Sequence, residues 1–173
     1  MNLTVDLSVN DIDKAITEIK DYRERLTHRL ESLVDKLCHN GIVVARIKVA
    51  ASQGDSSETS VVYDPPNANG DIVSATIYLE GKDAVFVEFG AGIAYNTGAQ
   101  HPLADEFGFG PGTYPSKHPP NKAINPGRWI YGHNEDGSPI WSIGTEATMP
   151  LYNASETIRN ELIQTAIEEF MRG

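Results

Sequence analysis

The strongest constraint on the fold is a single hydrophobic stripe near the start of the chain. Between Asp11 and His39, apolar residues fall at Ile12, Ile16, Ile19, Leu26, Leu30, Leu33 and Leu37, alternating steps of four and three, with Arg23 alone interrupting the seam. That spacing predicts one long helix over 11–39 with a heptad face. Ser8 or Asn10 is suited to cap its start, and Asn40-Gly41 offers a left-handed stop. Such a helix would run about 43 Å, long enough to overhang a small core and offer its seam to a neighbouring subunit.

A chain of 173 residues suits one domain, read here as 1–173. Following the long helix, "GIVVARIKVAAS" has Ile42, Ala45 and Val49 at helical spacing and is expected to form a separate short helix. The runs "TSVVYD" and "DIVSATIYLE" are β-branched and aromatic, and "PPNANG" between them is made of turn formers, so they are expected to pair antiparallel. Gly81-Lys82 permits a turn into "DAVFVEFG", read as a further strand or a single irregular turn, and the sheet region spans 59–93. From Ala94 to Gly127, 11 of 34 residues are Gly or Pro and no apolar period survives, which predicts a long loop. Residues 128–144 carry two short apolar stretches around Asp136-Gly137, a hairpin signature. A final helix over 149–171 starts near Pro150, with Thr148 as a cap and an apolar face of Leu151, Ala154, Ile158, Leu162, Ala166 and Phe170. The expected class is α+β: a small, mostly antiparallel sheet packed by a long N-terminal and a C-terminal helix.

Charge and motifs narrow the chemistry. A formal charge of −10 has the wrong sign for holding nucleic acid through its phosphates. No stretch is long and apolar enough to span a membrane, and "MNLTVDLSVNDIDK" lacks a secretory leader, so a cytoplasmic site of synthesis is expected. The lone cysteine, Cys38, sits in the helical apolar pattern and reads as a buried hydrophobe. Neither "GAGIAY" nor "GFGPGTYPSK" supplies the Lys-Ser/Thr pair of a phosphate loop. His101, His118 and His133, with Asp105 and Glu106 nearby, are the candidate metal ligands for a small metal-dependent hydrolase, but their spacing matches no compact zinc motif and they read as solvated loop residues. There is no nucleophile elbow, and the acidic pairs Glu135-Asp136 and Glu168-Glu169 read as solvated charges. No cofactor is expected. Aromatic residues crowd the second half; Phe107, Phe109 and Tyr114, with Arg128, are candidate interface residues on the Gly/Pro-rich loop.

The order of these features, with "FVEFGAGI", a loop containing "HP", "RWIY", a D-G turn, "IWSIG" and "EATMPLYNA", resembles the tail-completion, or head-to-tail joining, proteins of long-tailed double-stranded DNA bacteriophages. The resemblance covers most of the chain. Its motif residues here are Val87, Glu88, Phe89, Gly90 and Gly92; Trp129 and Tyr131; Trp141 and Gly144; and Pro150 within Ala147 to Ala154. This chain departs from the family in placing Met149 before Pro150 and Leu151 where an aromatic is common, and in the size of loop 94–127. The resemblance implies a non-enzymatic virion component of the neck, assembled in the host cytoplasm into a ring, with no chemistry at Glu88: that carboxylate becomes a polar residue in a structural join, receiving backbone or Arg hydrogen bonds, while Gly90 and Gly92 let the chain leave the sheet. It further implies a hexameric self-assembly, contacts with neighbouring neck and tail proteins, and DNA that passes without specific binding. A coiled-coil binding module, built on the heptad helix, is the remaining alternative.

Overall fold

The computed structural model describes residues 8–52, 58–91, 100–108, 129–142 and 144–171. The α+β expectation holds, with the strands divided into two separate antiparallel hairpins. In chain order the elements are α1 (Val9–Ala50), β1 (Ser60–Asn69), β2 (Ile72–Glu80), α2 (Ala84–Phe89), α3 (Ala104–Phe107), β3 (Trp129–His133), β4 (Pro139–Ser142) and α4 (Pro150–Met171).

Helix α1 is longer than its sequence stop signal indicates. It runs 42 residues, about 63 Å, and absorbs the stretch expected as a separate helix. Ser8 caps it, accepting from the Asp11 N–H. Gly41 does not end the helix, because its role is set by packing: a Cβ there would come within 2.8 Å of Ile158 Cδ1 and 3.4 Å of Ile77 Cδ1. The missing side chain lets α4 and β2 approach α1 closely. Around it Leu33, Leu37, Cys38, Ile42 and Ala45 are buried. Burial, followed by the Asp35 charge, pushes the Cys38 thiol pKa up, which fits an inert core residue.

Helix α4 lies along this part of α1. Arg29 donates to the Phe170 carbonyl, Asn40 Nδ2 to Glu161 Oε2 at 2.7 Å, and Lys36 pairs with Glu169. The contact face therefore follows Ala154, Ile158, Glu161, Thr165 and Glu169, and mixes apolar with polar residues. Leu162, expected inside, is exposed. The β1–β2 hairpin covers another side of α1. Tyr63 donates to Asp35 Oδ1 at 2.6 Å and stacks edge-on against the His39 ring, and burial together with that hydrogen bond raises the Tyr63 pKa. Its turn is Gly70-Asp71, while "PPNAN" belongs to β1, whose register shifts between Asp64 and Asn67 at the prolines. Gly70 has φ 65°, the left-handed conformation such a tight turn requires.

The segment 84–89 is helical, which removes the expected further strand. Four residues of the region read as one long loop, 104–107, form α3. The second hairpin pairs Trp129 with Ser142 and His133 with Pro139. Its turn is held by Asp136, which accepts from both the backbone N–H and the hydroxyl of Ser138, bonds that lower its pKa. Among the described residues no helix is long and apolar enough to cross a membrane.

Two predictions come from this packing. Gly41→Val should overpack the α1–α4 contact and cost about 1–3 kcal/mol, several degrees in a thermal melt; an unchanged melting temperature would show that the close approach carries no weight. Lys36 and Ser32 hydrogen bonds hold the Glu169 pKa below its ordinary 4.5. The sign follows from linkage: the contribution is complete above the unfolded-state value and is lost as pH falls through the lower folded value. The gap in melting temperature between the wild type and Glu169→Gln should therefore be widest near neutrality and shrink in acid. Because Lys36 is half-exposed, the gap should be modest and diminish with salt.

Candidate functional site

Two stretches of the resemblance, Val87–Gly90 and Ala147–Ala154, meet at one buried point together with the His101 segment. Helix α2 is six residues long and buries Val87 and Glu88. Glu88 is only 5 % exposed, an unusual place for a carboxylate, and its surroundings explain why it is tolerated. Oε2 accepts from the Leu151 N–H at 2.8 Å and Oε1 from the Tyr152 N–H at 2.9 Å. These are first-turn amides of α4, which have no partner inside their own helix. A carboxylate there also meets the positive end of the helix dipole. The cap of α4 therefore comes from a residue more than sixty positions earlier in the chain, in place of Thr148. Thr148 instead donates its backbone N–H to the Val87 carbonyl at 3.0 Å.

His101 completes the arrangement. It is 5 % exposed, and its Nε2 lies 3.1 Å from Glu88 Oε1. Its Nδ1 accepts from the Leu103 N–H at 3.0 Å. An accepting Nδ1 carries no proton, so the geometry assigns the tautomer in which Nε2–H donates to Glu88. The imidazole packs against the Phe89 ring at 4.4 Å and edge-on to Tyr152 at 5.3 Å, while Phe107 approaches Phe89 at 5.7 Å. The His101 carbonyl then accepts from Ala104 N–H, starting α3. Thus one carboxylate joins α2, α4 and the segment before α3.

Backbone geometry closes the join. Gly90 has φ 77°, and a Cβ on it would meet the Ala147 nitrogen at 3.1 Å, so this position favours glycine on both counts. Beyond it, Ala91 and Thr145 exchange backbone hydrogen bonds of 2.9 and 3.0 Å in an isolated antiparallel bridge. Met149 adopts φ 54°, rare for a side chain of this size. Its N–H faces the Val87 carbonyl at 3.4 Å and its carbonyl accepts from Asn153 N–H and Nδ2, so the surrounding bonds hold the strained turn before Pro150.

Other sequence candidates lie elsewhere. Trp129 and Tyr131 belong to β3, Trp141 to β4, and Gly144 follows the hairpin with φ 99°. Phe107 is exposed and joins the edge of the aromatic cluster. Gly92, Phe109, Tyr114, His118 and Arg128 fall outside the described residues. His133 is exposed on β3, and no group of three metal-ligating side chains comes together among the described residues. His101, read from sequence as a solvated loop histidine, is buried and committed at both ring nitrogens. A hint of this was present in "HPLADEF", where a helix-compatible run follows the His-Pro pair, but nothing local identified Glu88 as its partner.

The arrangement can position and cap; it offers no unengaged base beside a nucleophile. Glu88→Ala should leave two amides and an imidazole N–H buried without acceptors, costing on the order of 3–5 kcal/mol in chemical denaturation. Glu88→Gln should fall between this and the wild type, because its amide turns a donor toward the Leu151 N–H. An unshifted unfolding midpoint for the alanine variant would remove Glu88 from its role in the join.

Comparisons with family models, with curated proteins and with solved structures found no match for this chain, so its function is argued from the geometry and the motifs above.

Proposed function

We propose that this protein is a non-enzymatic structural component of a bacteriophage neck or tail, joining or completing the tail at the head–tail interface as a ring. The observation that carries the reading is the convergence at Glu88. Val87–Gly90 and Ala147–Ala154, two of the three specific stretches of the resemblance, Trp129–Tyr131 being the third, are more than fifty residues apart in sequence and meet through the carboxylate that caps α4. Their shared residues thus have a common physical purpose, the placement of one helix against another. A carboxylate saturated by two amides and an imidazole is suited to that purpose and poorly suited to proton transfer.

The same bonds weaken the metal-dependent hydrolase alternative. A metal takes the lone pair of a neutral imidazole nitrogen. In His101 that lone pair accepts the Leu103 N–H. In the proposed role, heterologous contacts between copies close by rotation, giving the hexamer that the resemblance implies. Neighbouring neck and tail proteins bind its two faces. A charge of −10 on each copy favours DNA sliding past over DNA adhering.

Light scattering of the purified chain, alone and with candidate tail-end and head-closure proteins, tests the proposal. A ring-sized species should form with one of these partners and be indifferent to a chelator. Failure to assemble with any of them, together with chelator-sensitive hydrolytic activity abolished by His101→Ala, would overturn it.

A further inference from the structure

The heptad seam of α1 has two fates. From Leu30 onward it faces the body of the protein, and Leu33 and Leu37 are buried. Toward the N-terminus, the same seam continues in register through Val9, Ile12, Ile16, Ile19 and Leu26, all exposed, with Ile19 at 57 % and Val9 at 75 %. Among the described residues, the side-chain bonds from α1 to the rest of the fold nearest its N-terminus are Arg29 to the last turn of α4 and, within this segment, the exposed Arg23 to Asp71 at the tip of the β1–β2 hairpin. Residues 9–26 therefore form a helical stretch of about 27 Å whose apolar edge is exposed among the described residues.

The charges beside that edge indicate what covers it. Within 9–26 the positions flanking the seam carry Asp13 on one side of its midpoint and Lys20 on the other, and Arg23 lies in the seam itself. The remaining charges, Asp11, Lys14, Glu18, Asp21, Glu24 and Arg25, lie on the outer faces of the helix. A second copy running parallel and in register would set Arg23 against Arg23. Turned antiparallel about a two-fold axis between Thr17 and Glu18, it sets Val9 against Leu26, Ile12 against the stem of Arg23, and Ile16 against Ile19. Asp13 then falls beside Lys20 and Arg23 of the second copy, twice per pair, and the helix dipoles oppose. The existing Arg23–Asp71 ion pair is highly exposed on both sides, so it contributes little that this arrangement must displace.

We infer that residues 9–26 of α1 form a self-complementary antiparallel helix pair with the same segment of a second copy, through Val9, Ile12, Ile16, Ile19 and Leu26. The pairing is independent of the neck reading, because it rests on the exposed seam and its flanking charges. Its length places it at the small end of specific interfaces, about 1,000 Å², so association is reversible and depends on concentration.

Sedimentation equilibrium of the full chain over a wide concentration range tests this. The wild type should show a monomer–dimer equilibrium. Ile16→Glu should weaken it at least about tenfold, the effect of 1.4 kcal/mol, while the thermal melt at low concentration stays in place, since Ile16 lies outside the core. Oxidation supplies the register: Ile16→Cys and Ile19→Cys proteins should each remain unlinked alone and form a covalent dimer when mixed. A wild type that stays monomeric throughout, or a dimer unaffected by Ile16→Glu, would overturn the pairing, and self-linking of Ile16→Cys alone would overturn its antiparallel sense. Where the pairing fails on either ground, a partner-dependent ring formed by the same chain would still leave the neck reading standing.

Discussion

The Glu88 carboxylate is the point on which α2, the start of α4 and the segment before α3 are organised. A buried carboxylate is costly unless its oxygens are saturated by donors. Here the donors come from two separate segments: the first turn of α4 and the imidazole of His101. Satisfying the charge therefore requires α2, α4 and the 100–108 segment to be assembled together. Its neighbours follow from that demand. Gly90 admits Ala147 at close range, Met149 is held at positive φ, and the Ala91–Thr145 bridge aligns the strands of chain that enter and leave the junction.

Helix α1 imposes the other constraint. A 42-residue helix is far longer than the hairpin and helix laid against it can cover. Its C-terminal half is built for close packing, with Gly41 removing the side chain that would hold Ile158 away. Its first turns carry an apolar edge of the same period that is exposed among the described residues. An edge of this kind is a cost to an isolated chain in water and an asset to one that associates. The described residues thus combine an internally satisfied junction at one place with an exposed apolar edge at another.

The class of the fold was legible because it depends on local periodicity. The alternation of Ile12 through Leu37, the β-branched runs around Gly70 and the Asp136-Gly137 turn each express a preference that neighbouring residues enforce. Errors arose where a local signal met a tertiary demand. Asn40-Gly41 has the composition of a helix stop, yet the helix continues because Gly41 is needed small and Ile158 fills the space beside it. "DAVFVEFG" has the composition of a strand, yet it coils into α2, where Glu88 can reach the start of α4. Leu162 fits the apolar period of α4, yet Glu161 and Glu169 take the inner positions because Asn40 and Lys36 supply their partners.

The sequence by itself determined the long amphipathic helix, the hairpins and the net acidic charge. These depend on spacing and composition over a few turns or strand residues. Only the tertiary structure decided that Glu88 caps α4, that His101 is buried with both nitrogens engaged, and that, among the described residues, the seam of α1 is buried at Leu33 and Leu37 and exposed from Val9 to Leu26. The physical reason is common to all three. Each depends on hydrogen-bond donors or apolar surface contributed by segments distant along the chain, and whether a polar group is satisfied or an apolar edge covered becomes definite only when those segments meet.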